Sequence, residues 1–267
     1  MAETPDEIAL KIAQICVDAA VPVMEVYASA FSVEQKADRS LVTEADRRAE
    51  AIILPALAES FPDIAVTSEE AFAAGDRPDV DGRHFLVDPV DGTREFVNRN
   101  GEFTINIGLI EAGRPIAGAV YAPAINRLFA GGTQAWRAIV EPGATVAAAK
   151  RTEIRTRALK TNALTALVSR SHLCDDTRAY LQRHDISEQV QAGSSLKFCR
   201  VAEGEADLYP RFGPTMEWDT AAGHAVLLAA GGELCCPDGS PFRYGKTSQG
   251  LRNGPFIACG GRAADFL

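Results

Sequence analysis

The segment that most restricts how this chain can fold is Phe85-Leu86-Val87-Asp88-Pro89-Val90-Asp91-Gly92-Thr93. A short apolar run bounded by turn residues reads as a buried strand, and a buried strand needs layers over both of its faces. The strand is expected to end at Asp88. Pro89 fixes its own φ and keeps Asp88 extended, so the turn is stiff. Asp88 and Asp91 can then converge, with the Val90 carbonyl between them. Gly92 lets the backbone approach a ligand closely, and a helix starting near Thr93 would offer free N–H groups to an anion. Two carboxylates, a carbonyl and such a turn suit a hard, oxygen-preferring Mg2+ together with a phosphate. A solvated Asp-Pro/Asp-Gly turn is the plainer alternative.

Three further acids stand in comparable places. Glu69, with Glu70, follows the strand-like Ile64-Ala65-Val66 and is a candidate third carboxylate, or an exposed acid after a strand. Asp219 follows Trp218 ahead of an almost wholly apolar helix, as its N-cap or as a carboxylate holding a metal above the helix terminus. Asp46, three residues after Thr43, is either half of a capping box or a catalytic acid. Acids gathered at one place repel one another unless cations occupy the site. In a two-ion site the cations clamp the attacking and leaving oxygens of an in-line phosphoryl displacement. A threonine hydroxyl bonded to a carboxylate would orient the attacking water.

The rest of the chain alternates helix and strand. Thr4-Pro5-Asp6-Glu7 opens a helix over residues 5–27, which Pro22 should bend or end early. A second helix is expected over residues 44–60, capped by Thr43, with Ile52, Ile53 and Leu57 on one face and a kink or break at Pro55. After a polar, turn-rich stretch at 76–82, strands at 103–110 and 115–121 are joined by Glu111-Ala112-Gly113-Arg114, which reads as a hairpin. A strand at 126–130 stops at Gly131-Gly132. A less structured region with Pro142 and Gly143 follows, so the boundary between two units is placed near 140–160. Beyond it the order is strand 163–169, helix 174–183, strand 186–191, helix 195–203, strand 206–210 and helix 219–230. This mixture predicts a layered α/β or α+β fold divided into residues 1–150 and 151–267.

Charge and cysteine content exclude other classes. Lys+Arg number 27 against 36 Asp+Glu, a net charge of −9, which argues against a nucleic-acid polymer as partner but not against a small anion beside a metal. The six cysteines include no CxxC pair and are expected to be free thiols. The N-terminal residues lack a basic secretory region, and no run reaches the ~18 to 20 apolar residues of a membrane span. A cytoplasmic protein without an integral membrane segment is the expectation, with peripheral contact at an inner membrane left open.

Glu69-Glu70, the Asp88–Thr93 segment and Trp218-Asp219-Thr220-Ala221-Ala222 together resemble the inositol monophosphatase-like family of Mg2+-dependent, lithium-sensitive phosphatases. Gly193-Ser194-Ser195-Leu196-Lys197-Phe198-Cys199, the stretch from Glu203 to Arg211 and Ser169-Arg170-Ser171-His172-Leu173 resemble its 3'(2'),5'-bisphosphate nucleotidase branch. The resemblance spans essentially the whole chain and implies an αβαβα sandwich. It implies Glu69, Asp88, the Val90 carbonyl, Asp91 and Asp219 as ligands to two or three Mg2+ ions, with Asp46 and Thr93 activating water. Gly92 and Thr93 amides would hold the scissile phosphate, while Ser169, His172, Gly193 and Lys197 would contact the nucleotide. The metal-site residues Glu69, Val90, Asp91, Thr93 and Asp219 would also meet the substrate. Most metal ligands then fall in residues 1–150, and the nucleotide contacts and the last metal ligand in 151–267. The implied reaction converts adenosine 3',5'-bisphosphate to AMP and phosphate, clearing a by-product of sulfate activation, with the phosphosulfate analogue as a second substrate. The implied partner is a small nucleotide, and the chain a monomer or homodimer. His172 also reads as a surface histidine and Lys197 as a snorkelling helix lysine; Arg211 is a weak further candidate. An inositol monophosphatase or broad sugar-phosphate phosphatase is the nearest alternative, and a non-catalytic nucleotide- or metal-binding regulator the alternative of another class.

Overall fold

Thr4 starts the first helix as its sequence predicts: the Glu7 N–H donates to the Thr4 hydroxyl at 3.3 Å, and Glu7 Oε2 accepts from the Thr4 N–H at 2.8 Å. The computed structural model describes residues 3–35, 41–77, 80, 82–158, 163–184 and 186–267; part of the polar stretch expected at 76–82 lies outside them. Helix α1 (Pro5–Ala28) carries Pro22 within it, and α2 (Glu44–Ser60) carries Pro55, so neither proline ends its helix as expected. An interior proline costs about 3 kcal/mol. Val17, Val23 and Val26 in α1, and Ile53 and Leu57 in α2, are buried on both sides of the prolines. At roughly 1.5–3 kcal/mol for each such side chain, burial outweighs that cost. Ile52 is exposed, contrary to expectation, because it lies a helical step of about 100° away from Ile53.

The strands form two large sheets. Before them, β1 (Val33–Gln35) and β2 (Leu41–Thr43) make a small antiparallel pair leading into α2. The larger sheet has β3 (Ala65–Ser68), β4 (Arg83–Asp91), β5 (Thr104–Glu111), β6 (Arg114–Ala122), β7 (Arg127–Gly131), β8 (Ala135–Ile139) and β9 (Thr152–Glu153), in that spatial order. Only β3 and β4 run parallel; the other pairs are antiparallel. The β5–β6 hairpin turns through Ala112 (φ 50°) and Gly113 (φ 71°), the two positive φ values that a tight two-residue turn demands. The second sheet has the order β11 (Ile186–Ala192), β10 (Leu164–Ser169), β12 (Leu208–Arg211), β16 (Phe256–Cys259) and β14 (Glu233–Cys235). The two-residue strands β13 (Thr215–Met216) and β15 (Arg252–Asn253) form a separate antiparallel pair.

Helices complete the layers. Short α3 (Glu69–Ala73) and α4 (Thr93–Val97) follow β3 and β4; α5 (Asp175–Arg183), α6 (Leu196–Ala202) and α7 (Glu217–Ala229) belong to the second half of the chain. One apolar cluster joins α1 and α2 to one face of the larger sheet, a second joins its other face to α6, α7 and the second sheet, and a third packs α5 on the outer face. This is the αβαβα sandwich. The seat of α7 is unusual in its closeness. Gly108, Gly118 and Gly131 lie side by side across β5, β6 and β7. A Cβ on Gly118 would fall 2.6 Å from the Ala222 carbonyl oxygen, and one on Gly108 2.8 Å from the Ala221 backbone. The helix therefore rests backbone against backbone in a trough without side chains. No described helix is long and apolar enough to cross a membrane, and all six thiols are unpaired.

Candidate active site

Strand β4 does not end at Asp88 as expected but continues through Pro89 to Asp91. It does so by means of a bulge. Asp88 faces Asn106 on β5, and Asp91 faces Thr104, so two residues of β4 stand against Ile105 alone. In a regular strand, residues three apart point to opposite faces. The extra residue returns Asp91 to the face of Asp88, and a bulge is also where a strand tolerates proline. The Val90 N–H donates to Asp88 Oδ1 at 3.1 Å, tightening the turn. Gly92 then takes φ 88°, in the left-handed region that suits glycine, and α4 begins at Thr93.

The other acids arrive from neighbouring elements. Ser68 on β3 pairs with Val87, so Glu69 emerges beside the end of β4. Asp219 is the third residue of α7, not its N-cap as the simpler reading had it; its Oδ2 accepts from the Met216 N–H at 2.8 Å. Burial, then the carboxylates of Glu69, Asp91, Asp219 and Asp46, push the Asp88 carboxyl well above its ordinary range. Asp219 is raised for the same reasons, burial first and Asp91 next. Asp91 rises to about 6 through burial, held back by Lys197 and the Ser195 N–H. Among the described residues, no group of three or more His, Cys, Asp and Glu side chains closes into a ready-made cage. Yet buried carboxylates that raise one another's proton affinity, beside a backbone carbonyl, are a donor set for a hard divalent cation. Glu69, Asp88, Val90, Asp91 and Asp219 fit that role.

These groups line a cavity of about 960 Å³, together with Gly92, Thr93, Ser169, His172 and Lys197. Lys197 is buried, not snorkelling; its Nζ donates to the carbonyls of Ser194 at 2.6 Å and Ala192 at 3.3 Å. Burial pushes its ammonium down to about 8, against the pull of Asp91. His172 is exposed, as its surface reading expects, but it also lines the cavity, and partial desolvation there, then Arg211, push its ring down to about 4, so it is neutral near pH 7. Ser169 Oγ accepts from the His172 N–H at 3.1 Å and fixes that turn. Arg211 is buried and donates to the carbonyls of Gly213 and Pro214, both at 3.2 Å.

Two expected site residues stand back from the cavity lining. The Gly193 N–H donates to Glu102 Oε2 at 2.9 Å. Asp46 accepts from the Thr43 N–H and hydroxyl at 2.8 and 2.9 Å, completing the capping box. Thr93 Oγ1 lies 3.5 Å from the Val90 carbonyl oxygen rather than on Asp46. Burial raises Asp46 to about 7, opposed by its bonds to Thr43 and helped by Glu70 and Glu69. The start of α6 is bonded to an internal anion: the Ser195 N–H donates to Asp91 Oδ2 at 2.6 Å. Ser195 Oγ donates to Asn106 Oδ1 at 2.6 Å and lies 2.8 Å from Thr104 Oγ1. Sequence reading missed this brace, because Thr104 and Asn106 look like ordinary polar residues of a strand. Their alternation with Ile105 and Ile107 was the available signal.

The profile of the inositol monophosphatase family matches residues 6–258. A Salmonella typhimurium protein named 3'(2'),5'-bisphosphate nucleotidase CysQ is 44% identical over 237 residues, which is 88% of this chain and 92% of its own. The Buchnera aphidicola protein of the same name is 37% identical over 242 residues, 90% of this chain and 88% of its own. Among solved structures, CysQ from Bacteroides thetaiotaomicron has a TM-score of 0.77 at 34% identity, covering 97% of this chain and 98% of that one. The inositol monophosphatase from Anabaena has a TM-score of 0.72 at 22% identity over 97% of this chain and 93% of that one, a likeness of fold alone.

Proposed function

The chain belongs to the inositol monophosphatase family, and from that membership we propose that it is a divalent-metal-dependent 3'(2'),5'-bisphosphate nucleotidase. It hydrolyses adenosine 3',5'-bisphosphate to AMP and phosphate. The observation that carries this reading is the contrast in similarity: 44% and 34% identity to CysQ proteins over nearly the full chain, against 22% to the Anabaena inositol monophosphatase. The 3'-phosphoadenylyl sulfate analogue, with the same nucleoside and a second anionic group, is the expected further substrate.

The cation we infer is Mg2+, two or three ions, held by Glu69, Asp88, Asp91, Asp219 and the Val90 carbonyl. Bound there, it supplies positive charge against the phosphate and makes water more acidic. The chain's own residues do the rest. The first turn of α4 has no preceding carbonyls to accept its N–H groups, and Gly92 and Thr93 are assigned to oxygens of the scissile phosphate. Asp46 and Thr93 are assigned to the attacking water. A carboxylate raised to about 7 by burial takes up a proton near neutrality and gives it back, as a general base must. Lys197 keeps Asp91 ionised and ties down the Ala192–Ser194 turn, with one N–H left for the nucleotide. Neutral His172 is suited to stacking on the purine without adding charge beside it, with Ser169 setting its turn. Gly193 acts at one remove, through its bond to Glu102.

The test is phosphate release from adenosine 3',5'-bisphosphate, the phosphosulfate analogue and inositol 1-phosphate, each titrated with Mg2+ and Li+. Higher kcat/KM on the bisphosphate than on inositol 1-phosphate is expected, with inhibition by Li+. A preference for inositol 1-phosphate would replace this reading with the monophosphatase one, and no release from any substrate with the regulator.

A further inference from the structure

Four cationic side chains line the cavity: Arg94, Lys197, Arg211 and Arg252. Three are engaged within the protein. Arg94 Nη1 donates to the Ser171 carbonyl at 3.4 Å, and Lys197 and Arg211 are buried against the carbonyls named above. Arg252 is different. Among the described residues its side chain has no hydrogen-bond or ion-pair partner, and it is exposed.

Its backbone, by contrast, is held on both sides. Asn253 is buried and its Nδ2 donates to the Met216 carbonyl at 2.7 Å and to the hydroxyls of Thr215 and Thr220, both at 3.1 Å. Leu251 is buried, with its N–H donating to the Lys246 carbonyl at 3.0 Å and its carbonyl accepting from the Glu217 N–H at 2.9 Å. Fully buried Glu217 accepts from the N–H groups of Gly245 and Lys246 at 2.9 and 3.0 Å and pairs with Lys246 Nζ at 2.8 Å. The chain enters β15 through Gly250 at φ 62° and Leu251 at φ 59°. A leucine in the left-handed region costs on the order of 1 kcal/mol, and such strain persists only where the surroundings fix it. A rigid, strained wall thus presents an arginine that has no partner of its own.

We propose that Arg252 is a specificity residue: its guanidinium receives the phosphate, or phosphosulfate, that is not removed. The inference rests on the bisphosphate reading above. A guanidinium fork matches a phosphate's oxygens, and a cation with no internal partner gives up nothing but water when it binds one. Met216, paired with Arg252 across β13–β15, also donates through its N–H to Asp219, so the strand that carries Arg252 and this proposed cation ligand are fixed relative to one another.

The experiment compares kcat/KM for adenosine 3',5'-bisphosphate with that for adenosine 3'-monophosphate, which lacks the second phosphate. In Arg252→Ala the ratio is expected to fall about tenfold or more, chiefly through KM on the bisphosphate, as for the loss of one charge-assisted contact. Arg252→Lys should recover part of it. Arg243→Ala, a charge control on a different cavity, should leave the ratio unchanged. An unchanged ratio in Arg252→Ala, or equal losses on both substrates, overturns the assignment. Calorimetry with AMP and with adenosine separates the two readings. If the wild type hydrolyses no bisphosphate, the substrate reading fails, while weaker AMP binding by Arg252→Ala with adenosine binding unaltered still supports Arg252. AMP binding equal to wild type removes it.

Discussion

Asp88 and Asp91 share one face of one strand, yet their surroundings differ in degree. Asp88 meets burial and four other carboxylates that all disfavour its charge. Burial raises Asp91 too, but the Lys197 ammonium and the Ser195 N–H hold it back. Neutralising either should therefore stabilise the metal-free protein near pH 8, and Asp88 the more. Asp88→Asn removes repulsion and keeps an acceptor for the Val90 N–H, a gain of about 1 kcal/mol or more. Asp91→Asn gains less, because it also leaves buried Lys197 without its counter-charge. Urea unfolding in chelator measures both, and a larger gain in Asp91→Asn would contradict this account. Phosphate release should be lost in both variants, because each removes a proposed cation ligand; unchanged hydrolysis in either removes that aspartate from the mechanism. The acids were legible in the sequence because their spacing is distinctive. Ser195, Asn106 and Arg252 were not, since a hydroxyl, an amide and an arginine acquire meaning only through partners far away in the chain.

At the scale of elements, the trough of Gly108, Gly118 and Gly131 sets the height of α7 and so the place of Asp219. Gly118→Ala would put a methyl 2.6 Å from the Ala222 carbonyl oxygen, which is backbone and cannot swing aside. Overpacking of this kind costs about 1–3 kcal/mol. The midpoint of thermal unfolding should drop, and Mg2+ should bind less tightly by calorimetry because α7 is displaced. Unchanged Mg2+ affinity would mean that Asp219 is not positioned this way. The bulge can be tested likewise. Deleting Val90 would leave Asp88 and Asp91 two residues apart and still on one face, but without the carbonyl presented between them, so Mg2+ affinity and hydrolysis should fall while both aspartates remain. Sequence pattern revealed the capped helices and the β5–β6 hairpin, whose signals are local. It missed β8, β14 and β16, and it ended β4 too soon at Pro89. Short strands at 135–139, 233–235 and 256–259 owe their pairing to neighbours across the sheet, not to their own period. Pro22 and Pro55 misled for a similar reason: burial by distant layers decides whether a helix survives a proline.

For the molecule as a whole, a net charge of −9 includes carboxylates that are not solvated surface. The folded chain holds protons on Asp46 up to about pH 7 and on Asp91 up to about pH 6, whereas in the unfolded chain these groups release them near pH 4. Between those limits the folded state binds more protons, so these carboxylates make metal-free stability fall as pH rises from about 4 to about 7. Buried His224, pushed down to about 3 by burial, contributes the opposite slope below about 6.5, with a smaller share from exposed His172. Comparing unfolding with and without Mg2+ isolates the carboxylates. Cation competes with proton at Asp91, so the stabilisation by excess Mg2+ should be larger near pH 8 than near pH 5, approaching about 2.7 kcal/mol at a hundredfold excess over Kd. Equal stabilisation at both pH values would place the cation elsewhere. The seat of α7 also bears on how the chain is made. Glu69, Asp88 and Asp91 leave the ribosome well before Asp219, and the glycine trough is complete before the helix that fills it exists. A nascent chain at that stage has a nearly finished larger sheet with one face bare and a cluster of acids lacking its last member. Closing the site is thus a late, long-range event, and slow assembly with an aggregation-prone interval follows from where α7 stands in the chain.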